Sequence, residues 1–129
     1  MNGELLLDTN AVLRLFADDP AVHGRLAQCS RLLLSVIVLG ELYYGAKKST
    51  RVEENLKRIA RLLAEGVVVQ NDAATAYEYG MIRNELRLKG QPIPENDLWL
   101  AALARQHHLV LLSRDAHFTF VDGLRLESW

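Results

Sequence analysis

Short apolar runs alternate along this chain with longer stretches whose apolar residues recur at helical spacing. Glu4 to Leu7 reads as a first strand, and Asp8-Thr9-Asn10 as the turn into a helix carrying Val12, Leu13, Leu15 and Phe16. Asp18-Asp19-Pro20 ends that helix, because Pro20 disfavours helical geometry at the residue before it. A second helix is predicted from Ala21 to Gln28, and a second strand from Arg31 to Leu34. Ser35 then caps a helix running towards Lys48. Between Arg51 and Ala64 the positions Val52, Leu56, Ile59, Leu62 and Leu63 keep the helical period until Gly66 stops it; Val67–Val69 is a short strand. A long helix follows from Asp72 to Lys89, with Gly90 at its end and Pro92 and Pro94 in the linker. Asn96 or Asp97 opens the next helix, Leu109 to Ser113 is a strand, and Leu124 to Glu127 is a final edge strand. This alternation predicts an α/β fold with a mostly parallel central sheet of four to five strands flanked by helices. With no repeat, low-complexity tract or boundary signal, residues 1–129 are expected to form a single domain.

Composition narrows the picture. Half of the 129 residues are apolar and about a quarter are charged, which suits one domain with a substantial core. Cys29 is the lone cysteine, which excludes an internal disulfide. The start lacks a basic segment, and its apolar run stops at Asp8, too early for a signal peptide. No apolar stretch approaches the roughly 20 residues that span a bilayer. A soluble, cytoplasmic protein with no membrane partner is expected. The net charge of −1 gives nucleic-acid binding no support. Its distribution is more suggestive: six basic residues (Lys47, Lys48, Arg51, Lys57, Arg58, Arg61) face two acidic ones between Lys47 and Arg61. Arg83, Arg87 and Lys89 form a smaller cluster. Either a phosphate backbone or ordinary solvated helix faces would account for both.

Four acids beside apolar segments carry the chemistry: Asp8, Glu41, Asp97 and Asp115. Carboxylates in such places lose hydration, and repulsion adds to the penalty where they converge. A hard divalent cation with oxygen ligands removes both. In an open α/β sheet, ligands gather outside the carboxyl ends of the strands. Asp8 and Asp115 lie at or just past such ends, and Asp97 at the start of a helix facing the same edge. Glu41 lies two turns into its helix and is expected to point inward from the face it shares with Ile37, Val38 and Gly45. Each acid also has a structural explanation. Asp8 or Asn10 can cap a helix, Asp97 is an N-cap candidate, Asp115 suits a turn, and Glu41 can pair with Lys47 or Arg14. Ser113, Thr9 and Asn10 can hydrogen-bond a carboxylate or a nearby water.

Read as segments, Leu7-Asp8-Thr9-Asn10, Ser35 through Gly45, Ile93 through Ala102 and Leu111 through Phe118 resemble those of PIN-domain ribonucleases. The chain is most similar to the VapC-type toxins of prokaryotic toxin–antitoxin pairs. The resemblance runs nearly end to end, and Asn-Asp-x-Trp-x-Ala-Ala followed by Ser-Arg-Asp-x-x-Phe is its most specific part. It implies a PIN-like nuclease domain in which Asp8, Glu41, Asp97 and Asp115 form the acidic quartet. Ser113 takes the place of the family's usual Thr or Ser, and Asn10 stands with it behind the acids. It further implies endonucleolytic hydrolysis of RNA by water activated with Mg2+ or Mn2+. Asp8, Asp97 and Asp115 would be metal ligands, and Glu41 a ligand or an orienter of the water. No histidine is then required as a base, so His107, His108 and His117 are expected to be structural or surface residues. A homodimer and a cognate antitoxin are also implied, the latter able to set an Arg against the acidic pocket. Leu42, Tyr43, Tyr44, Leu56, Ile59 and Leu63 are candidates for partner surface or for core. A competing reading, phosphoryl transfer to an aspartate, fits poorly, because Asp8 is followed by Thr9 and Asn10 and the last lysine is Lys89. The alternative from a different class is a catalytically silent PIN-like module that binds RNA or a protein.

Overall fold

The structure, a computed structural model, describes residues 2–129. Five strands, β1 (Asn2–Leu7), β2 (Cys29–Ser35), β3 (Val67–Val69), β4 (Val110–Leu112) and β5 (Arg125–Glu127), form one sheet in the order β3-β2-β1-β4-β5. Every neighbouring pair is parallel, so the expected "mostly parallel" sheet is wholly so. Six helices flank it: α1 (Thr9–Phe16), α2 (Pro20–Leu26), α3 (Val36–Lys47), α4 (Val52–Glu65), α5 (Ala73–Lys89) and α6 (Glu95–Gln106). A short 3-10 helix, Ala116–Phe120, lies between β4 and β5. Among the described residues, no helix is long and apolar enough to cross a membrane.

The central strand explains the layering. Leu5, Leu6 and Leu7 of β1 point alternately to opposite faces, yet all three are fully buried. Both sheet faces are therefore covered, as a continuous apolar run in a parallel sheet requires. After β1 the chain builds β2 and β3 on one side, then returns to lay β4 and β5 on the other. The strand order thus reverses between β1 and β4, which opens a crevice at their carboxyl ends. Register sets that crevice: Leu7 pairs with Leu112, so Asp8 and Ser113 are the first residues beyond the sheet on adjacent strands.

The helix ends follow local chemistry. Ser35 Oγ accepts from Ile37 N at 3.0 Å and starts α3. Asp72 and Thr75 cap α5 reciprocally, and Gly90, at φ 68, closes it in the left-handed region that glycine tolerates. Two expectations need correction. Asp97 does not cap α6: Pro94 is the cap, its carbonyl accepting from Leu98 N at 3.1 Å, which starts the helix earlier and leaves Asp97 within the first turn. The 3-10 helix was not foreseen, although Asp115 does occupy the turn position expected of it, as its cap.

The apolar residues offered as partner surface or core divide between the two. Leu42 and Ile59 are buried, Leu56 and Leu63 pack partly against the core, and only Tyr43 and Tyr44 of that group are exposed. In α6, Leu100 through Ala104 are buried on every side. α5 is tied to α6 by stacked Tyr79 and Trp99 (4.1 Å between centroids) and by Arg105, which pairs with Glu78 at 2.8 Å and Glu85 at 3.0 Å. Replacing Leu6 by Ala should lower unfolding free energy by about 2–5 kcal/mol in urea titration. A loss below about 1 kcal/mol would contradict the central position given to β1.

Candidate active site

The carboxyl edge of the sheet collects the acids. Asp8 ends β1 and caps α1: its Oδ1 accepts from Ala11 N at 2.7 Å, and its Oδ2 accepts from Ser113 Oγ. Only 5% of Asp8 is exposed. Ser113 Oγ also accepts from Asp115 N at 2.9 Å, so one hydroxyl fixes two acid-bearing segments. Asp115 caps the 3-10 helix through Oδ1, which accepts from His117 N at 2.9 Å. Asp97 reaches in from α6. From the opposite wall, Glu41 Oε1 accepts from Thr9 Oγ1 at 2.8 Å. Asp8, Glu41, Asp97 and Asp115 line a single cleft of about 170 Å³ together with Thr9, Asn10, Asn96 and Leu100. That space suits an ion and its nearest oxygen ligands, since each water occupies about 30 Å³.

Glu41 corrects one expectation. It is exposed on the rim rather than pointing inward, and its hydrogen-bond partner is Thr9 rather than Lys47 or Arg14. The buried face of α3 is Val38, Leu39, Leu42 and Ala46. Apolar residues surround Glu41 on almost every side of that helix, so the pattern alone did not resolve which way it faced. His117, expected to be structural or surface, is half-exposed and adjoins the acids: its Nδ1 stands 3.1 Å from Asp97 Oδ2 and 3.0 Å from Asp115 Oδ1, beside the cleft that these two line. Its only sequence signal was its place two residues after Asp115. Asn10 lines the cleft at an exposed position, while His107 and His108 are exposed and lie outside it.

The electrostatics suit a cation. The carboxyl of Asp8 is held above its ordinary range mainly by burial. Hydrogen bonds from Ser113 and Ala11 oppose the shift, and the charges of Asp115 and Asp97 add to it. Asp97 is raised for the same leading reason; His117 opposes, and Asp115 and Glu41 contribute repulsion. One donor atom each from Asp97, Asp115 and His117 lie within 4.8 Å of one another. Mutually repelling carboxylates sharing a small, mostly oxygen-lined space fit a hard divalent cation. The basic clusters are partly neutralised: Glu54 pairs with Arg51 and Arg58, and Glu95 pairs with Arg83. Beside the cleft, an apolar groove of about 400 Å³ shares Thr9 and Glu41 with it and is lined by Leu13, Leu42, Ile59 and Arg58.

Comparison with known proteins agrees with this geometry. The family model for the PIN domain matches residues 5–124. Ribonuclease VapC2 of Haemophilus influenzae is 35% identical over 127 residues, covering 96% of each chain. The tRNA(fMet)-specific endonuclease VapC of Shigella flexneri is 35% identical over 129 residues, covering 98% of each. Among solved structures, DNA-bound VapBC from Salmonella typhimurium superposes with a TM-score of 0.90 at 32% identity, over all of this chain and 99% of that one. The chain belongs to the PIN-domain family, and within it to the VapC ribonucleases.

Proposed function

We propose that this chain is the toxin of a prokaryotic toxin–antitoxin pair, an endoribonuclease that hydrolyses RNA phosphodiester bonds in the cytoplasm at the acidic cleft with Mg2+ or Mn2+. The observation that carries this reading is the convergence of Asp8, Glu41, Asp97 and Asp115 on one small cleft in a VapC-type fold. Asp8, Asp97 and Asp115 would hold the cation. When bound there, it supplies positive charge against the phosphate oxygens that become negative, and it lowers the pKa of water. Ser113 keeps one oxygen of Asp8 and the backbone of Asp115 in fixed relation. Glu41, at the solvent rim and anchored by Thr9, orients the attacking water. Asn10 lines the same cleft, where its side chain can hydrogen-bond a carboxylate or a nearby water. Two relatives are named for tRNA(fMet), which makes initiator tRNA the first substrate to test.

Restraint by a cognate antitoxin is part of the same reading, supported by the similarity to VapBC. The apolar groove opening on Thr9 and Glu41 gives an antitoxin segment a path to the acids, where an Arg would pair with carboxylates that otherwise hold metal. Exposed Tyr43 and Tyr44 offer apolar surface for the homodimer implied by the family resemblance.

Cleavage of total cellular RNA with mapped 5′ ends, with and without EDTA, tests the reading. Discrete new ends that vanish with the chelator are expected. Asp8→Asn and Asp97→Asn should each reduce cleavage by more than about 100-fold, beyond the range of groups acting behind a ligand. Wild-type rates in either variant, or intact RNA from the unaltered protein with Mg2+ or Mn2+, would favour the binding-module reading instead.

The raised carboxyls give a second test, on stability. For Asp8 and Asp97 the folded pKa exceeds the unfolded value of 3.8. The native state therefore binds more protons than the unfolded state in that window. Their stabilising contribution is complete below the unfolded value and is lost as pH rises through the folded one. The melting temperature of metal-free Asp8→Asn relative to the unaltered protein should consequently rise between pH 3 and pH 7. Asn keeps the oxygen that caps α1 but sets an amide where Oδ2 accepts from Ser113, a loss present at both pH values. A difference that does not change with pH would contradict the burial assigned to Asp8.

A further inference from the structure

His117 stands beside the cleft, its ring nitrogen close to two of the acids that line it. The backbone explains how it arrives there. Asp115 caps the 3-10 helix by accepting from His117 N, which holds that carboxylate and the imidazole together. The next residue, Phe118, is 1% exposed and anchors the turn in the core. The ring is thus carried by a fixed element rather than a free surface loop.

Its distances then bear on its role. Ligands at right angles around an ion with bonds of about 2.1–2.2 Å stand about 3.0–3.1 Å apart. Nδ1 lies 3.1 Å from Asp97 Oδ2 and 3.0 Å from Asp115 Oδ1, matching that edge on both sides. The contact with Asp97 also has hydrogen-bond geometry, whereas Asp115 Oδ1, which already accepts from His117 N, is a close neighbour only. A neutral imidazole offering its Nδ1 lone pair would serve both oxygens through a shared ion. The side chain is 44% exposed, so the N–H moved to Nε2 has solvent at hand.

We propose that His117 is itself a metal ligand, its Nδ1 joining one oxygen each of Asp97 and Asp115 in a mixed nitrogen–oxygen face that favours Mn2+ over Mg2+. The preference follows from donor chemistry: Mg2+ keeps to oxygen and water, whereas an imidazole nitrogen suits transition metals better. A neutral donor at this corner also adds no negative charge to a site already crowded with carboxylates. The inference rests on the metal-binding reading of the cleft given above, and extends it to a residue outside the acidic quartet.

Pulsed EPR of the full chain loaded with Mn2+ tests it without reference to activity. The unaltered protein should show nitrogen coupling to Mn2+, converted to the 15N pattern when the protein is made with 15N-histidine. The coupling should disappear in His117→Gln, which distinguishes this residue from His23, His107 and His108. By calorimetry, that variant should bind Mn2+ about tenfold more weakly while its Mg2+ affinity changes less than about threefold. A melting curve matching the unaltered protein confirms that the variant is folded. Stoichiometric Mn2+ binding without histidine coupling, or equal losses for both ions, would overturn the proposal and leave the acidic metal site standing. Failure of the unaltered protein to bind Mn2+ at all would overturn both.

Discussion

One hydroxyl holds the site together. Ser113 Oγ donates to Asp8 Oδ2 and accepts from the backbone N–H of Asp115, so it joins the ends of two strands with its own donor and acceptor. The clamp exists because β1 and β4 pair in parallel with Leu7 opposite Leu112. A slip of one residue would send the next side chains to the wrong face. That register is secured by the leucines on either side, fully buried on both faces of the sheet. Packing of apolar side chains thus fixes a polar contact, and the polar contact fixes the acids.

The acids do structural and chemical work at once. Asp8 caps α1 and Asp115 caps the 3-10 helix, yet both also line the shared cleft. Cap and ligand looked like alternatives in the sequence, but a carboxylate has enough acceptor capacity for both. The caps lower the penalty of bringing these groups together without removing it, and burial still raises Asp8 and Asp97. A fold that tolerates such unfavourable ionisation has a reason to do so if a cation completes the site. The contribution of these two carboxyls is then least favourable in the metal-free protein at neutral pH, a cost of the kind working sites place on the folds that carry them.

Most of the architecture was legible because the strands are nearly pure apolar runs and the helices carry clear punctuation: Ser35, Gly66, Asp72 and Gly90 all mark real ends. All four acids were legible by position relative to those runs, and the family resemblance named the same quartet. What escaped depends on information that neither source holds. Glu41 faces the rim because α1 packs beside α3 and brings Thr9 to it, a tertiary relation invisible in a helix that is apolar nearly all round. Asp97 misses the cap because Pro94 starts the helix before it. His117 reaches Asp97 and Asp115 only through a 3-10 turn with weak periodicity. The basic clusters, prominent in sequence, are partly cancelled by Glu54 and Glu95.

The most direct test of a shared cation is crystallographic. Crystals soaked in Mn2+ and measured at the manganese edge should give a strong anomalous peak about 2.1–2.3 Å from carboxylate oxygens of Asp8, Asp97 and Asp115. A saturating soak with no peak in the cleft, or with manganese bound only on another face, would contradict the account.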